Sequence, residues 1–169
     1  MLNLLILLVF FFTGFDFGGR VGAAFPTAGI GRTTRSSTLL GVQVGYSFLR
    51  HRLGLNYSFL DFPGRQNIPY GITVHELTLN YSFALLQKSN WGIALGAGPG
   101  LGYLRRAYRS VQETGTALNG YITAFIYQQE RHSRVSAGID QFIFFTTPAN
   151  RAPIVTYFPA IYAAIAYAF

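Results

Sequence analysis

Residues 155–169 read VTYFPAIYAAIAYAF, and this stretch decides the fold class. Its odd positions carry mostly large apolar or aromatic side chains, ending in Ile165, Tyr167 and Phe169. Its even positions become alanine toward the end of the stretch. A side-chain period of two is that of a β-strand with two different faces. The stretch therefore predicts a strand with one bulky, apolar face.

The composition shows where that apolar face has to point. Half of the 169 residues are hydrophobic and only 11% are charged, whereas a soluble domain carries about a quarter charged residues. Beyond the N-terminal segment no apolar run approaches the roughly 20 residues that a spanning helix needs. Short alternating apolar segments favour a transmembrane β-barrel, because a closed barrel satisfies every backbone polar group in lipid.

Residues 1–14 are predicted to be a signal peptide. The run 2–12 is apolar except for Asn3, and its length suits the apolar region of a secretory signal but is too short to cross a bilayer. No Lys or Arg precedes it and no good cleavage site follows it. A retained apolar arm is therefore the alternative interpretation.

The remainder, 15–169, divides into eight alternating segments, which predict an all-β, eight-stranded, antiparallel up-and-down transmembrane barrel. The segments are 15–25, 38–48, 53–62, 73–85, 91–104, 116–128, 134–145 and 155–169. Connections after the second, fourth and sixth segments are short, and the other four run about ten residues. This asymmetry is typical of outer-membrane barrels, which have short periplasmic turns and longer outer loops. An even number of strands closes the sheet and leaves no edge.

Three parts of the chain depart from the simple alternation of strand and turn. The segment 116–128 has large side chains on both faces, so its phase is open. Pro99 and Pro159 each remove a ladder donor within a strand, and we expect a bulge or bend at each. The stretch 105–115 is polar and is predicted to be an outer loop.

Aromatic residues should form two interfacial girdles. The periplasmic girdle comprises Tyr46, Phe48, Tyr81, Phe83, Trp91, Tyr167 and Phe169, and the outer one Phe25, Tyr57, Phe59, Tyr103 and Tyr157.

Polar residues on the opposite face should fill the lumen. The predicted polar network comprises Asp16, Arg20, Gln43, Asn56, Glu76, Asn80 and Asp140. Buried charges have to be paired, so Arg20 is expected to meet Asp16, Glu76 or Asp140. The alternating glycines of 96–102 should leave room for Phe142, Phe144, Phe158 and Tyr162. A structural plug is favoured over a solute path, because eight strands leave little lumen.

Arginines of the longer connections should gather at the outer rim. They are Arg32, Arg35, Arg65, Arg105, Arg106, Arg109 and Arg151. Guanidinium groups pair bidentately with phosphate, so these residues are candidates to bind lipopolysaccharide phosphates, with plain solvation as the alternative. The net charge of +7 does not indicate nucleic acid, because the basic residues form no run.

The sequence offers few residues that could support catalysis or bind a metal. The chain has no cysteine and only three histidines. His51 and His132 lie in predicted periplasmic turns, and His75 lies near the outer rim without a serine at a pairing distance in sequence. We therefore predict no catalytic residue, metal or cofactor, with a lipid A-modifying enzyme as an alternative.

From residue 15 onward the chain resembles the small eight-stranded outer-membrane barrels of the OmpA and OmpX kind, which implies an outer-membrane location. Its ending in Phe169 resembles the closing strand that the barrel-assembly machinery reads. A narrower resemblance to the TraO family of conjugative-transposon transfer proteins rests on Ile68-Pro69, Tyr81-Ser82-Phe83, Leu85-Leu86 and Gly102-Tyr103. The predicted function is a non-enzymatic structural or interaction module with outer-membrane lipid as a partner and a protein partner as an option. A component of a transfer or secretion assembly is the alternative that the TraO resemblance implies.

Overall fold

A computed structural model describes residues 14–65, 69–108, 111–146 and 154–169, so the predicted signal peptide lies almost wholly outside the described residues. Within these ranges the elements are β1 (Phe15–Ala24), α1 (Ala28–Thr33), β2 (Ser37–Phe48), β3 (His51–Phe62), β4 (Tyr70–Gln87), β5 (Trp91–Tyr108), β6 (Val111–Glu130), β7 (Ser133–Thr146) and β8 (Ile154–Ala168). Each strand pairs antiparallel with the next, and β8 pairs with β1. The predicted eight-stranded up-and-down barrel is confirmed. No helix in the described part of the chain is long and apolar enough to span a membrane.

The rows of paired residues climb as they pass around the barrel, which means that the strands are tilted. One row runs through Phe15, Tyr46, Leu53, Tyr81, Ala97, Ile122, Gln141 and Pro159, whose carbonyl oxygen accepts a hydrogen bond from Phe25. The row starts at residue 15 in β1. After one circuit of the barrel it returns to the same side at residue 25, just beyond the end of β1. Ten residues rising about 3.3 Å each, at a tilt of about 40°, span about 25 Å along the axis. That is the height of the apolar band of an outer-membrane barrel.

The exterior of the barrel is apolar across this height. The outward side chains of Leu79, Ile122, Ile139 and Ile165 are more than half exposed. Above them a row of outward polar residues marks the outer boundary, namely Thr38, Asp61, Thr73, Arg105 and Thr114. An apolar exterior around a closed sheet is stable in lipid and not in water, so the chain is a transmembrane β-barrel.

Strand β6 resolves the open phase of 116–128. Tyr121 and Phe125 point inward and are 2% and 8% exposed, whereas Leu118 and Ile126 point outward. The prediction that 105–115 is a loop is wrong for its described residues, because 105–108 and 111–115 are strand. β5 and β6 stay paired out to Tyr108 and Val111. A strand beyond the membrane can be polar on both faces, and polarity therefore did not mark the end of the strand.

At neither proline does the strand register shift, so the bulge that was one of the two expectations is absent from these ladders. The register between β5 and β4 is the same on both sides of Pro99, although the pairs at positions 98 and 99 are missing from that ladder. Pro159 pairs with Gln141 in continuous register. The carbonyl oxygen of Pro159 accepts a hydrogen bond from Phe25 N, just beyond the end of β1. The N–H group that proline lacks would point in the same direction, where the β1–β8 ladder stops. The register shift in the described ladders lies elsewhere, between Ala84 and Leu86.

The outer half of the lumen is filled by an apolar plug. This plug consists of Leu39, Leu60, Phe62, Val74, Phe142, Phe144 and Phe158, each of which is fully buried. The Phe62 and Phe158 rings stack with centroids 4.6 Å apart, and Phe144 meets Phe158 edge-on at 5.6 Å. A Cβ on Gly102 would lie 2.5 Å from the Phe144 ring, so this glycine makes room for the plug. Polar residues occupy the other half of the lumen.

Candidate functional site

The centre of the lumen holds an ion pair between Arg20 and Asp140, whose side chains are 1% and 0% exposed. β1 and β7 place both on inward positions. The Tyr121 hydroxyl donates to Asp140 Oδ1 at 2.7 Å and accepts from Arg20 Nη1 at 3.2 Å. The guanidinium also lies 4.5 Å from the centre of the Tyr162 ring, a distance at which a cation and an aromatic face attract each other. Arg20 thus meets Asp140, and not Asp16 or Glu76.

A second charged group lies nearer the periplasmic end. Asp16 accepts hydrogen bonds from Arg52 Nη2 at 2.6 Å and from Arg52 Nε at 3.0 Å. Arg134 Nη1 lies 4.0 Å from the same carboxylate and donates to Ser47 Oγ at 3.3 Å. Its guanidinium packs 4.2 Å from the centre of the Tyr127 ring. Because Arg52 binds Asp16 through a two-point contact, Arg134 is the less compensated cation.

Glu76 is bound by neutral donors. Its Oε1 accepts from the Thr78 hydroxyl and, at 2.6 Å, from Asn119 Nδ2. Its Oε2 has no hydrogen-bond partner among the described residues. Glu76 is 1% exposed, so its side chain forms part of the packed interior.

The predicted amides surround a small cavity. Gln43, Asn56 and Asn80 line a space of about 20 Å³ together with Arg20 and Arg52. Asn56 Oδ1, Asn80 Oδ1 and Arg20 Nε are buried without a partner in the described part of the protein. A polar cavity of this size can hold one water molecule. The seven predicted lumen residues therefore do not form one network but separate groups within the same interior.

Sequence reasoning missed Arg52 and Arg134 as lumen residues. The alternating pattern predicts a connection over 49–52, but β3 begins at His51 and Arg52 is 7% exposed. The parity of the strands could have revealed both arginines. Arg52 lies on the same face as Asn56 and Ser58, and Arg134 on the same face as Ser136 and Asp140. With these two included, three inward arginines match three inward carboxylates in number.

At the outer rim two connections are fastened to each other. Arg35 N donates to Pro63 O at 2.8 Å, and Arg65 N donates to Thr33 O at 2.9 Å. Thr34 and Gly64 form a bridge, and Arg65 Nε donates to Thr34 O at 3.3 Å. These bonds hold Arg32, Arg35 and Arg65, hereafter the outer arginine patch, at one edge of the rim. All three are exposed.

The other predicted rim arginines are not all in loops. Arg105 is exposed on β5, and its Nη2 donates to Gln112 Oε1 at 2.7 Å. Arg106 is half-buried and pairs across the ladder with Glu113. Arg109 and Arg151 lie outside the described residues.

The three histidines lie among aromatic residues. His51 Nδ1 is hydrogen-bonded to the Tyr81 hydroxyl at 2.6 Å, and His75 Nδ1 to the Tyr57 hydroxyl at 2.8 Å. His132 donates to Ala168 O at 3.3 Å. His51 is the first residue of β3 and not part of a turn. In the described ranges no hydrogen bond joins a histidine to a serine or a carboxylate, and no three metal-ligating residues cluster.

No protein family matches the chain, and no curated protein matches it significantly. Its fold is that of solved outer-membrane barrels. Neisserial surface protein A has a TM-score of 0.72 at 12% identity, covering 92% of this chain and 97% of that one. The N-terminal barrel of Pseudomonas aeruginosa OprF has 0.61 at 11%, covering 91% and 97%. The outer membrane enzyme PagL has 0.59 at 12%, covering 88% and 97%.

These likenesses define the class of the chain as a small eight-stranded outer-membrane barrel, which confirms the OmpA- and OmpX-like architecture. At such identities they describe the fold alone. The resemblance to the TraO family has no counterpart among these matches and stays a prediction.

Proposed function

We propose that the chain is a non-enzymatic interaction module of the outer membrane that binds lipopolysaccharide phosphates through the outer arginine patch. The carrying observation is the fastening of two outer connections, which keeps Arg32, Arg35 and Arg65 together at one edge. None of the three forms an ion pair with another described residue. Their positive charge is therefore free for an external anion.

The height of the outer arginine patch suits lipid headgroups. Arg35 lies three residues before Thr38 and Arg65 four residues after Asp61, two members of the polar row that marks the outer boundary. Three to four residues of extended chain reach about 10 Å, which takes these residues beyond the hydrocarbon core to the level of the headgroups. Guanidinium is the side chain best suited to phosphate, because its planar donors can contact two oxygens at once.

The alternatives have less support. The apolar plug fills the outer half of the lumen, which argues against a solute pore. The outer membrane enzyme PagL shares this fold, but a lipid A-modifying enzyme has little support here, because His75 at the outer boundary is bonded to Tyr57 and not to an acidic residue or a serine. A subunit of a transfer or secretion assembly would be favoured if a partner chain covered the outer connections in complexes isolated from membranes.

The test compares two sets of charge changes of equal size. Arg32, Arg35 and Arg65 are replaced together by Gln in one variant, and the exposed periplasmic residues Arg50, Lys88 and Arg131 in the other. Both proteins are purified from membranes, and bound lipopolysaccharide is quantified per barrel. Loss of lipopolysaccharide only from the outer variant is expected. Equal retention in both variants would contradict the proposal.

A further inference from the structure

A water-accessible cavity opens at the periplasmic end of the lumen, at the opposite pole from the outer arginine patch. Its volume is about 190 Å³, and its polar lining consists of Asp16, Ser47, Gln87, Gln129 and Arg134. A smaller cavity of about 50 Å³ shares four of these residues and adds Arg50, His51, Arg52 and Ser82. The two together form the mouth of the polar half of the lumen.

The charges around this mouth do not balance. Among the described residues that line the two cavities, Asp16 is the single carboxylate, against the guanidinium groups of Arg50, Arg52 and Arg134. Asp16 is already bound at two points by Arg52. A second cation at 4.0 Å is beyond hydrogen-bond reach of that carboxylate.

Arg134 keeps most of its donors unused. A guanidinium offers five N–H groups, and the one hydrogen bond of Arg134 among the described residues is the 3.3 Å contact with Ser47. The guanidinium packs 4.2 Å from the centre of the Tyr127 ring. This contact orients the guanidinium but accepts no hydrogen bond from its N–H groups. The side chain is only 10% exposed, so its guanidinium reaches water only through this mouth.

Neutral donors surround this fork from several strands. Gln129 on β6 pairs directly with Arg134 in the ladder, and Ser47 on β2 pairs with Arg52. Gln87 on β4 completes the lining. Donors arriving from several directions suit a tetrahedral oxyanion better than a planar carboxylate, which can occupy the fork but not the surrounding groups.

We propose that this mouth is a binding site for a small phosphate-bearing anion of the periplasm, with Arg134 as the principal ligand and Ser47 and Gln129 as neutral donors. The site faces the periplasmic side and is independent of the lipopolysaccharide contacts proposed for the outer rim. A phosphate group fits within the 190 Å³ of the larger cavity. Binding would neutralise the uncompensated charge of Arg134.

The test uses the full chain folded in a maltoside detergent, which carries no phosphate. Inorganic phosphate is titrated against sodium chloride at equal ionic strength, and binding is followed by ³¹P line broadening and by the midpoint of the heat-dependent gel shift. Saturable broadening and a raised midpoint with phosphate are expected. A parallel series adds phosphatidylglycerol micelles instead. An effect of the lipid alone would assign the phosphate to the membrane and overturn the proposal of a periplasmic solute.

Variants separate binding from a structural role. Arg134→Gln is expected to weaken phosphate binding at least about tenfold, the equivalent of one charge-assisted contact. Arg131→Gln removes the same charge from the exposed turn after β6, away from both cavities, and should bind as the natural chain does. Asp16→Asn removes the carboxylate that binds Arg52, and this variant should bind phosphate more tightly. If the arginines of the mouth were purely structural, the substitution would not raise phosphate affinity.

A further variant keeps the proposal testable if Arg134→Gln does not fold. Ser47→Ala combined with Gln129→Leu retains all charges and is expected to lower phosphate affinity. No saturable phosphate effect in the natural chain would refute the site, as would equal affinity in the folded Arg134→Gln variant.

Discussion

Arg20 on β1 and Asp140 on β7 form an ion pair that passes over β8, the strand that lies between β1 and β7. Tyr121 on β6 is hydrogen-bonded to both residues. The group therefore joins three strands from inside the barrel across the seam where the first and last strands meet. Backbone ladders close the sheet, and this side-chain group connects β1 to β6 and β7, two strands with which β1 shares no ladder.

Removal of one charge from this pair should destabilise the barrel strongly. Asp140→Asn leaves the buried guanidinium of Arg20 without its counter-charge, and breaking a buried pair in this way costs about 3–5 kcal/mol. The urea dependence of folding, followed by circular dichroism and gel shift, measures the loss.

Two further proteins show whether that loss comes from the unpaired charge. Glu130→Gln makes the same chemical change at an exposed position, and its effect should stay within about 0.5 kcal/mol. The double variant Arg20→Met with Asp140→Leu removes both charges and should recover much of the lost stability, since apolar replacement of a buried pair is often neutral. A double variant as unstable as Asp140→Asn would refute this account.

The apolar plug should be the most sensitive part of the lumen to truncation. Phe158 is fully buried and touches the rings of both Phe62 and Phe144. Phe158→Ala should therefore cost about 3–5 kcal/mol in the free energy of unfolding. Equilibrium unfolding in urea measures this change.

The matched control for the plug is Phe145→Ala on the neighbouring strand. Phe145 points into lipid and is 50% exposed, so its removal leaves no internal cavity and should cost clearly less. Equal losses for the two variants would mean that the outer half of the lumen is not tightly packed.

Much of this fold was predictable because lipid imposes a simple rule on the sequence. Every outward position within the membrane has to be apolar, so Leu40, Val42 and Val44 on one strand already give its phase. The rule ends at the membrane boundary. Beyond it, Arg105 and Glu113 are as compatible with strand as with loop, and only the paired register shows that β5 and β6 continue.

The choice of partners inside the lumen was not predictable from the sequence. Alternation places Arg20, Asp16, Glu76 and Asp140 on the inner face, but their heights depend on the ten-residue climb of the rows around the barrel. That climb lifts Asp140 toward Arg20. A register offset is a property of the closed sheet as a whole, and no single segment encodes it.

Gly102 should not tolerate a side chain, although the sequence shows it only as one of several alternating glycines. A methyl group at this position would lie 2.5 Å from the Phe144 ring, which the packed plug prevents from moving away. Overpacking of this kind costs about 1–3 kcal/mol. Gly102→Ala is therefore expected to lower the urea midpoint.

Gly115→Ala provides the comparison within the same hairpin. Nothing lies within 4 Å of a Cβ at Gly115, and alanine restricts the unfolded chain more than glycine does. This variant should be as stable as the natural chain or slightly more stable. A loss of stability at Gly115 as large as that at Gly102 would exclude crowding by Phe144 as the cause.

The turn between β2 and β3 offers a stabilising substitution. Leu49 has a φ of 54° and is 91% exposed, so it adopts a left-handed conformation without any packing in return. Such a conformation costs a residue with a Cβ about 1–2 kcal/mol, whereas glycine adopts it freely. Leu49→Gly should raise the free energy of unfolding by up to about 1 kcal/mol, the part of that strain left after the greater freedom of glycine in the unfolded chain.

Glycine at the neighbouring residue, Arg50, should change the stability in the opposite direction. Arg50 is not among the described non-glycine residues with a positive φ, so glycine there relieves no strain and only adds freedom to the unfolded chain. Arg50→Gly should therefore lower the urea midpoint, while Leu49→Gly raises it. Since both residues belong to the same exposed two-residue turn, a shared direction of change would show that the backbone conformation of Leu49 is not what limits the stability of this hairpin.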